Sequence, residues 1–141
     1  MNRQDWTLLA ISFAESSGIS PVQLQKSLFI LGQELPSEVG NEFYQFSAYN
    51  YGPFSKQIYL DAERLAIDGC IAIDRTGRYP MYFATAQGAQ IARAKMENAN
   101  RTAVNYLKRV VQWTQTKNFA TLVRTIYDKY PEFKANSVFA D

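Results

Sequence analysis

Asp68-Gly69-Cys70-Ile71-Ala72-Ile73-Asp74-Arg75-Thr76-Gly77-Arg78-Tyr79-Pro80-Met81-Tyr82-Phe83-Ala84 decides how this chain folds. Gly69 is placed to end a helix, because helices commonly close with one residue at positive φ. Cys70 to Ile73 is a short β run, Asp74 to Arg78 a turn, and Tyr79 to Ala84 the returning strand. Pro80 has no N–H to give to a ladder, so that strand is expected at an edge or paired on one side. Upstream, Pro53 and Ser55 open the helix that Gly69 closes, with Ile58, Ala62 and Leu65 at i, i+4 and i+7. Downstream, Thr85 has the chemistry of an N-cap and starts another helix through Ala86, Gln87 and Gly88. A helix feeding a two-stranded wing is the winged form of helix-turn-helix. The expected fold class is therefore mainly α with a small antiparallel β wing, a winged helix-turn-helix-like core with extra C-terminal helices.

Further outward, Asp5 is expected to cap a first helix reaching about Ser16. Trp6, Leu9, Ala10 and Phe13 form its stripe, Leu8 and Ile11 thicken it, and Gly18 ends it. Ser20-Pro21-Val22-Gln23 is a strong helix start, with Ser20 and Gln23 as a capping box and Pro21 at N1. That helix carries Leu24, Leu28 and Leu31 to about Gln33, where Leu35-Pro36 breaks it. Phe43-Tyr44-Gln45-Phe46 has the pattern of a short strand that would add a third member to the wing sheet. After the wing, Ala86 to about Met96 and Arg101 to Thr114 are helical, with a break near Asn98 and Asn100. Phe119, Leu122, Val123, Ile126 and Tyr130 define a last helix that Pro131 ends. Residues 1–141 form one domain in this reading, with 1–97 as core and 98–141 as a C-terminal helical extension.

Composition narrows the function. The 141 residues are 47% hydrophobic and 14% aromatic, with nine Tyr and nine Phe, enough for a real core and unlike a disordered chain. The absence of histidine removes Ser-His-Asp and Cys-His nucleophilic sites and most zinc sites. Walker-type and dinucleotide glycine loops are missing too. The lone Cys70 follows a helix-ending glycine and is expected to be buried and structural. No active site, metal or cofactor is expected. No apolar run approaches the roughly 20 residues that span a bilayer, and no cleavable leader is evident, so a cytoplasmic location is expected.

Charge is divided along the chain. Residues 1–70 carry four Lys or Arg against eight acids, a net of −4, and residues 71–141 carry eleven against five, a net of +6. The helix of residues 54–68, which would enter a major groove, holds Lys56 and Arg64 against Asp61, Glu63 and Asp68, a net of −1. Phosphate contacts from Lys and Arg supply most DNA affinity, so this helix is a poor groove reader. The candidates for nucleic-acid contact are instead Arg75 and Arg78 on the wing and Arg101, Lys108 and Arg109 beyond it. Tyrosine suits interfaces because it joins large apolar area to a hydroxyl. The candidate protein-binding face is therefore Tyr49, Tyr51, Phe54 and Tyr59, with Asp61 and Glu63 among acids steering a basic partner. The competing reading makes those rings core and those acids a solvated surface.

Leu24-Gln25-Lys26-Ser27-Leu28-Phe29, followed by Tyr49-Asn50-Tyr51-Gly52-Pro53-Phe54-Ser55, resembles the Panacea (SocA-like) family. That family carries an LQKLLY-type helix and then an aromatic YGP lead-in to a helix. Tyr127-Asp128-Lys129-Tyr130-Pro131-Glu132-Phe133 with Ser137 is similar to the YPEY…S ending of relatives in that group. Ser27 and Phe29 stand where Leu and Tyr are usual, and the turn from Asp74 to Arg78 is no family signature. The resemblance implies a prokaryotic or phage-associated regulator. Such proteins are often antitoxins and sometimes adaptors presenting a partner to a protease, and the resemblance does not imply an enzyme. Two functions are thus expected: a non-catalytic module binding a protein, such as a toxin, or a dimeric winged-helix regulator gripping duplex DNA through its wing and basic C-terminal helices.

Overall fold

The computed structural model describes residues 1–134 and Ser137. In chain order the elements are α1 (Arg3–Phe13), α2 (Pro21–Glu34), α3 (Pro36–Val39), β1 (Ser47–Tyr49), β2 (Gly52–Phe54), α4 (Lys56–Ile67), β3 (Ile71–Asp74), β4 (Met81–Ala84), α5 (Ala86–Glu97), α6 (Arg101–Gln115) and α7 (Phe119–Lys129). Short 3₁₀ turns at Glu15–Ser17 and Pro131–Lys134 complete them. The protein is mainly helical, with two small antiparallel hairpins.

Six consecutive residues, Trp6 to Ile11, are buried, so α1 is covered all round rather than along one stripe. It touches α2, α4, α5, α6 and β4. Ala103, Val104, Leu107 and Val111 of α6 join the same apolar cluster as Leu8, Leu9 and Ile11. The segment from 98 to 134 thus contributes to the main core as well as extending it. Residues 135, 136 and 138–141 of the expected extension lie outside the described residues. Ser27 lets α6 close on α2, with its hydroxyl 3.5 Å from that of Thr114. A second cluster forms around Phe29, whose ring meets Phe46, Tyr130 and Phe133 edge-on at 4.8–5.3 Å. A phenyl ring fits this fully buried position, where a phenolic hydroxyl would need a partner of its own.

β3 and β4, the hairpin expected as a wing, pair antiparallel, with Ile71 opposite Ala84 through to Asp74 opposite Met81. Gly69, at φ +79°, closes α4: its N–H bonds to Ala66 and the Cys70 N–H reaches back to Leu65 at 2.9 Å. Cys70 therefore belongs to the helix end, and β3 starts one residue later than expected. The returning strand starts at Met81, leaving Tyr79 and Pro80 in the turn.

Three further expectations are corrected. Asn2, not Asp5, caps α1; Asp5 is the third helical residue and bonds back to Asn2, so the helix starts earlier. Pro53 does not open α4. It lies in β2 opposite Ala48, and Ser55 occupies the cap position without a side-chain capping bond. Residues 43–46 form no strand; pairing begins at Ser47, in a separate hairpin with β2. The third member of the wing sheet is Ile19, which exchanges two backbone bonds with Tyr82 at 3.0 and 2.9 Å.

α5 docks on the wing through a close approach. Thr85 accepts from Gly88 N–H and donates to the Gly69 carbonyl at 2.7 Å. A Cβ on Gly88 would lie 1.8 Å from the Cys70 carbonyl oxygen. Gly88→Ala should lower stability by about 2 kcal/mol or more, although alanine improves helix propensity by about 1 kcal/mol. Gly77→Ala, in the open wing turn, should change it by less than about 1 kcal/mol. Urea unfolding of the two variants beside the parent checks both.

Candidate functional site

The stretches that carry the resemblance meet in space. From α2, the Gln25 side chain donates to the Ser55 carbonyl at 2.8 Å and accepts from the Ser55 N–H at 3.0 Å. This is the two-bond pairing of one strand residue with another, made here by a side-chain amide. Beside it, Lys26 donates to the Pro53 carbonyl at 3.2 Å. Tyr127 of α7 reaches the same place: an added Cβ on Gly52 would sit 3.4 Å from both Lys26 Nζ and Tyr127 Cε1. The Tyr127 hydroxyl donates to Ser137 at 2.7 Å. Lys26 is 4% exposed, and burial lowers its pKa to about 8.

The clamp presents the β1–β2 hairpin. Tyr49 and Tyr51 on it are 52% and 45% exposed. Tyr49 stacks on Phe54 at 5.1 Å, and Phe54 meets Tyr59 edge-on at 5.5 Å, giving a continuous row of rings. Tyr51 leans on Phe119 of α7 at 5.2 Å. Tyr59 is half-buried, and burial raises its pKa against the opposing contact with Gln25. Phe119 lines a cleft of about 540 Å³ with Pro21, Val22, Tyr79 and Leu122.

Two of the expected steering acids are placed differently. Asp61 is buried, which corrects its assignment to the partner-binding surface. Its carboxylate accepts from Tyr44 at 2.6 Å and Gln57 at 2.9 Å and lies 3.4 Å from Arg3 Nε. Because the Tyr44 proton goes to Asp61, the Thr7 hydroxyl at 2.6 Å donates to Tyr44. Burial, then the bond to Asp61, drives the Tyr44 pKa far up. Glu63 is exposed, but it pairs with Arg75 of the wing turn at 2.7 Å. One residue from each candidate face is thus tied to the other.

The cations do not form a single patch. Arg78 is exposed on the wing turn. Arg101 and Lys108 line a cleft between α5 and α6 with Arg93, whereas Arg109 lines another groove with Tyr106 and Trp113. Cys70 is buried, and burial followed by Asp68 raises its pKa. Sequence reasoning missed Lys26 as an anchor and the exposed Leu60, Ile67 and Phe119. Leu60 and Ile67 carry a signal, seven residues apart and off the stripe of Ile58, Ala62 and Leu65. Among the described residues no three His, Cys, Asp or Glu group as a metal site, and no helix is long and apolar enough to cross a membrane.

No protein-family model matches the chain, and no curated protein matches it.

The clamp has a pH signature. With its folded pKa near 8 and an ordinary value of 10.5, Lys26 binds more proton in the unfolded chain between those limits. Its burial penalty is therefore full below pH 8 and is relieved as pH rises to 10.5. The whole effect corresponds to on the order of 3 kcal/mol. Lys26→Met should remove this rise, so the stability difference between parent and variant should shift in favour of the parent from pH 8 to 10.5. Subtracting the two denaturation series cancels the tyrosine ionisations common to both.

Proposed function

We propose that this chain is a non-catalytic, SocA-like regulatory module on a winged-helix core, antitoxin- or adaptor-like, which binds a protein partner through its β1–β2 hairpin. Exposure of Tyr49 and Tyr51 on a hairpin locked to α2 carries this reading. Large rings held out by a fixed backbone lose little freedom on binding, which favours association. Phe54 and half-buried Tyr59 extend the apolar surface behind them, and exposed Glu38 and Glu42 add negative charge in the same half of the chain. The winged-helix assignment is supported by the order α1, Ile19 bridge, α2, α4, β3 and β4. The convergence of the Gln25-Lys26, Gly52-Pro53 and Tyr127…Ser137 stretches on one anchor supports the resemblance.

A second reading has its own observation. The wing turn carries Arg75 and Arg78, and both are exposed. A winged-helix regulator would use them on duplex phosphate or in the minor groove. Arg75 would have to leave Glu63 to do so, and α4 would bring Glu63 and Asp68 towards a polyanion.

Two variants separate these functions. Tyr49→Ala/Tyr51→Ala should fold like the parent, since both side chains are exposed, and should lose the protein that co-purifies with the tagged parent from its native cells. Retention of that protein by the folded double variant would contradict the protein-binding reading. Arg75→Ala/Arg78→Ala should leave co-purification unchanged. If duplex DNA binding is the function, this second variant should instead flatten the salt dependence by about two phosphate contacts.

A further inference from the structure

The outward face of α4 has a charge and apolar pattern that the proposed hairpin site does not use. Lys56, Leu60, Glu63, Arg64 and Ile67 are exposed along it, followed by exposed Asp68 just past the helix end. Leu60 is 51% exposed and Ile67 is 76% exposed, the latter a large β-branched side chain almost entirely in water. Seven residues correspond to two helical turns, so the two side chains stand about 10 Å apart on one line. They lie away from the stripe of Ile58, Ala62 and Leu65, which faces the core.

We propose that this face pairs with its own copy, forming an antiparallel two-fold dimer centred between Glu63 and Arg64. The order along the helix is positive, apolar, negative and positive, apolar, negative. Turned end for end about that centre, it is complementary to itself. Leu60 of one chain meets Ile67 of the other, Glu63 meets Arg64, and Lys56 comes within reach of Asp68. Every contact occurs twice, as a two-fold interface requires. A parallel pairing would instead set Lys56 against Lys56 and Asp68 against Asp68, so charge selects the antiparallel arrangement. The helix dipoles favour it as well. Lys56 makes no ion pair within the described chain. Arg64 is held by Asp68 at 3.6 Å and Glu63 by Arg75, both in solvent-exposed pairs that are worth little and rearrange readily.

The dimer is weak and reversible. A pair of 12-residue helices buries less than the about 1,200 Å² at which standard interfaces begin, so the dimer forms only at high protein concentration. This surface uses none of Tyr49, Tyr51 or Phe54. An α4 seated on its own copy is also withdrawn from any DNA groove.

Sedimentation equilibrium of the full chain from micromolar to millimolar concentration tests the proposal. The parent should fit a monomer–dimer equilibrium, and Ile67→Asp should weaken it by at least about tenfold. Glu63→Lys and Arg64→Glu should each weaken it, and the two combined should restore association to within about threefold of the parent. Each single change also breaks an intrachain pair that the combination does not repair. Recovery therefore reports the contact across the two-fold and nothing within a chain. A chain that stays monomeric throughout, a dimer indifferent to Ile67→Asp, or a charge swap no better than its single changes would each overturn the proposal. Ile67→Asp touches neither the hairpin nor an expected steering acid, so with this variant partner co-purification can fail or succeed separately from dimer formation.

Discussion

The side-chain amide of Gln25 pairs with both backbone groups of Ser55, and the presented surface depends on that bond pair. β1 and β2 are three residues each, too short to hold a hairpin unaided. Their buried carbonyls and N–H groups also need partners, or folding leaves polar groups unsatisfied at about 1–3 kcal/mol each. A helix cannot supply those partners from its own backbone, because its internal groups are already bonded. Gln25 and Lys26 supply them from side chains, and in doing so fix where the hairpin sits and where α4 begins. The cost is a desolvated ammonium. It stays because its charge is turned onto the Pro53 carbonyl and because Gly52 leaves room for it beside Tyr127.

The same device recurs in the middle of α4. Asp61 is buried among Tyr44, Gln57 and Arg3, and Thr7 of α1 completes the chain of bonds. Breaking one member would leave a buried carboxylate or hydroxyl without a partner, which costs far more than an intact network contributes. α4 is thus held by polar anchors near its start and middle, and by Ile58, Ala62 and Leu65 along its inner stripe. That leaves its outer face free of structural duty. The exposed Leu60 and Ile67 there are not explained by folding.

Local chemistry was legible before the structure. Ser20 with Gln23, Thr85 with Gly88, and Gly69 ending α4 were readable because caps act over three or four residues. Apart from the cap of α1, which is Asn2 rather than Asp5, what failed was what depends on partners elsewhere in the chain. Pro53 has the local character of a helix start, yet it is a strand residue because Lys26 and Ala48 engage it from elsewhere in the chain. Ile19 joins the wing sheet as a single residue, which no periodicity can announce. Asp61 falls at a helix position that looks solvated, and only the return of Tyr44 and Arg3 buries it. The tyrosines divided in the same way. Tyr44 became structural and Tyr49 and Tyr51 stayed outside, a distinction that spacing alone did not contain.

Hydrogen–deuterium exchange on Gln25→Leu tests the central role of the clamp most directly, because leucine keeps the bulk and removes the amide. Faster exchange is expected only over residues 47–58, including the Ser55 N–H, with residues 71–84 as protected as in the parent. Unchanged protection over 47–58, or an equal loss in both regions, would contradict it.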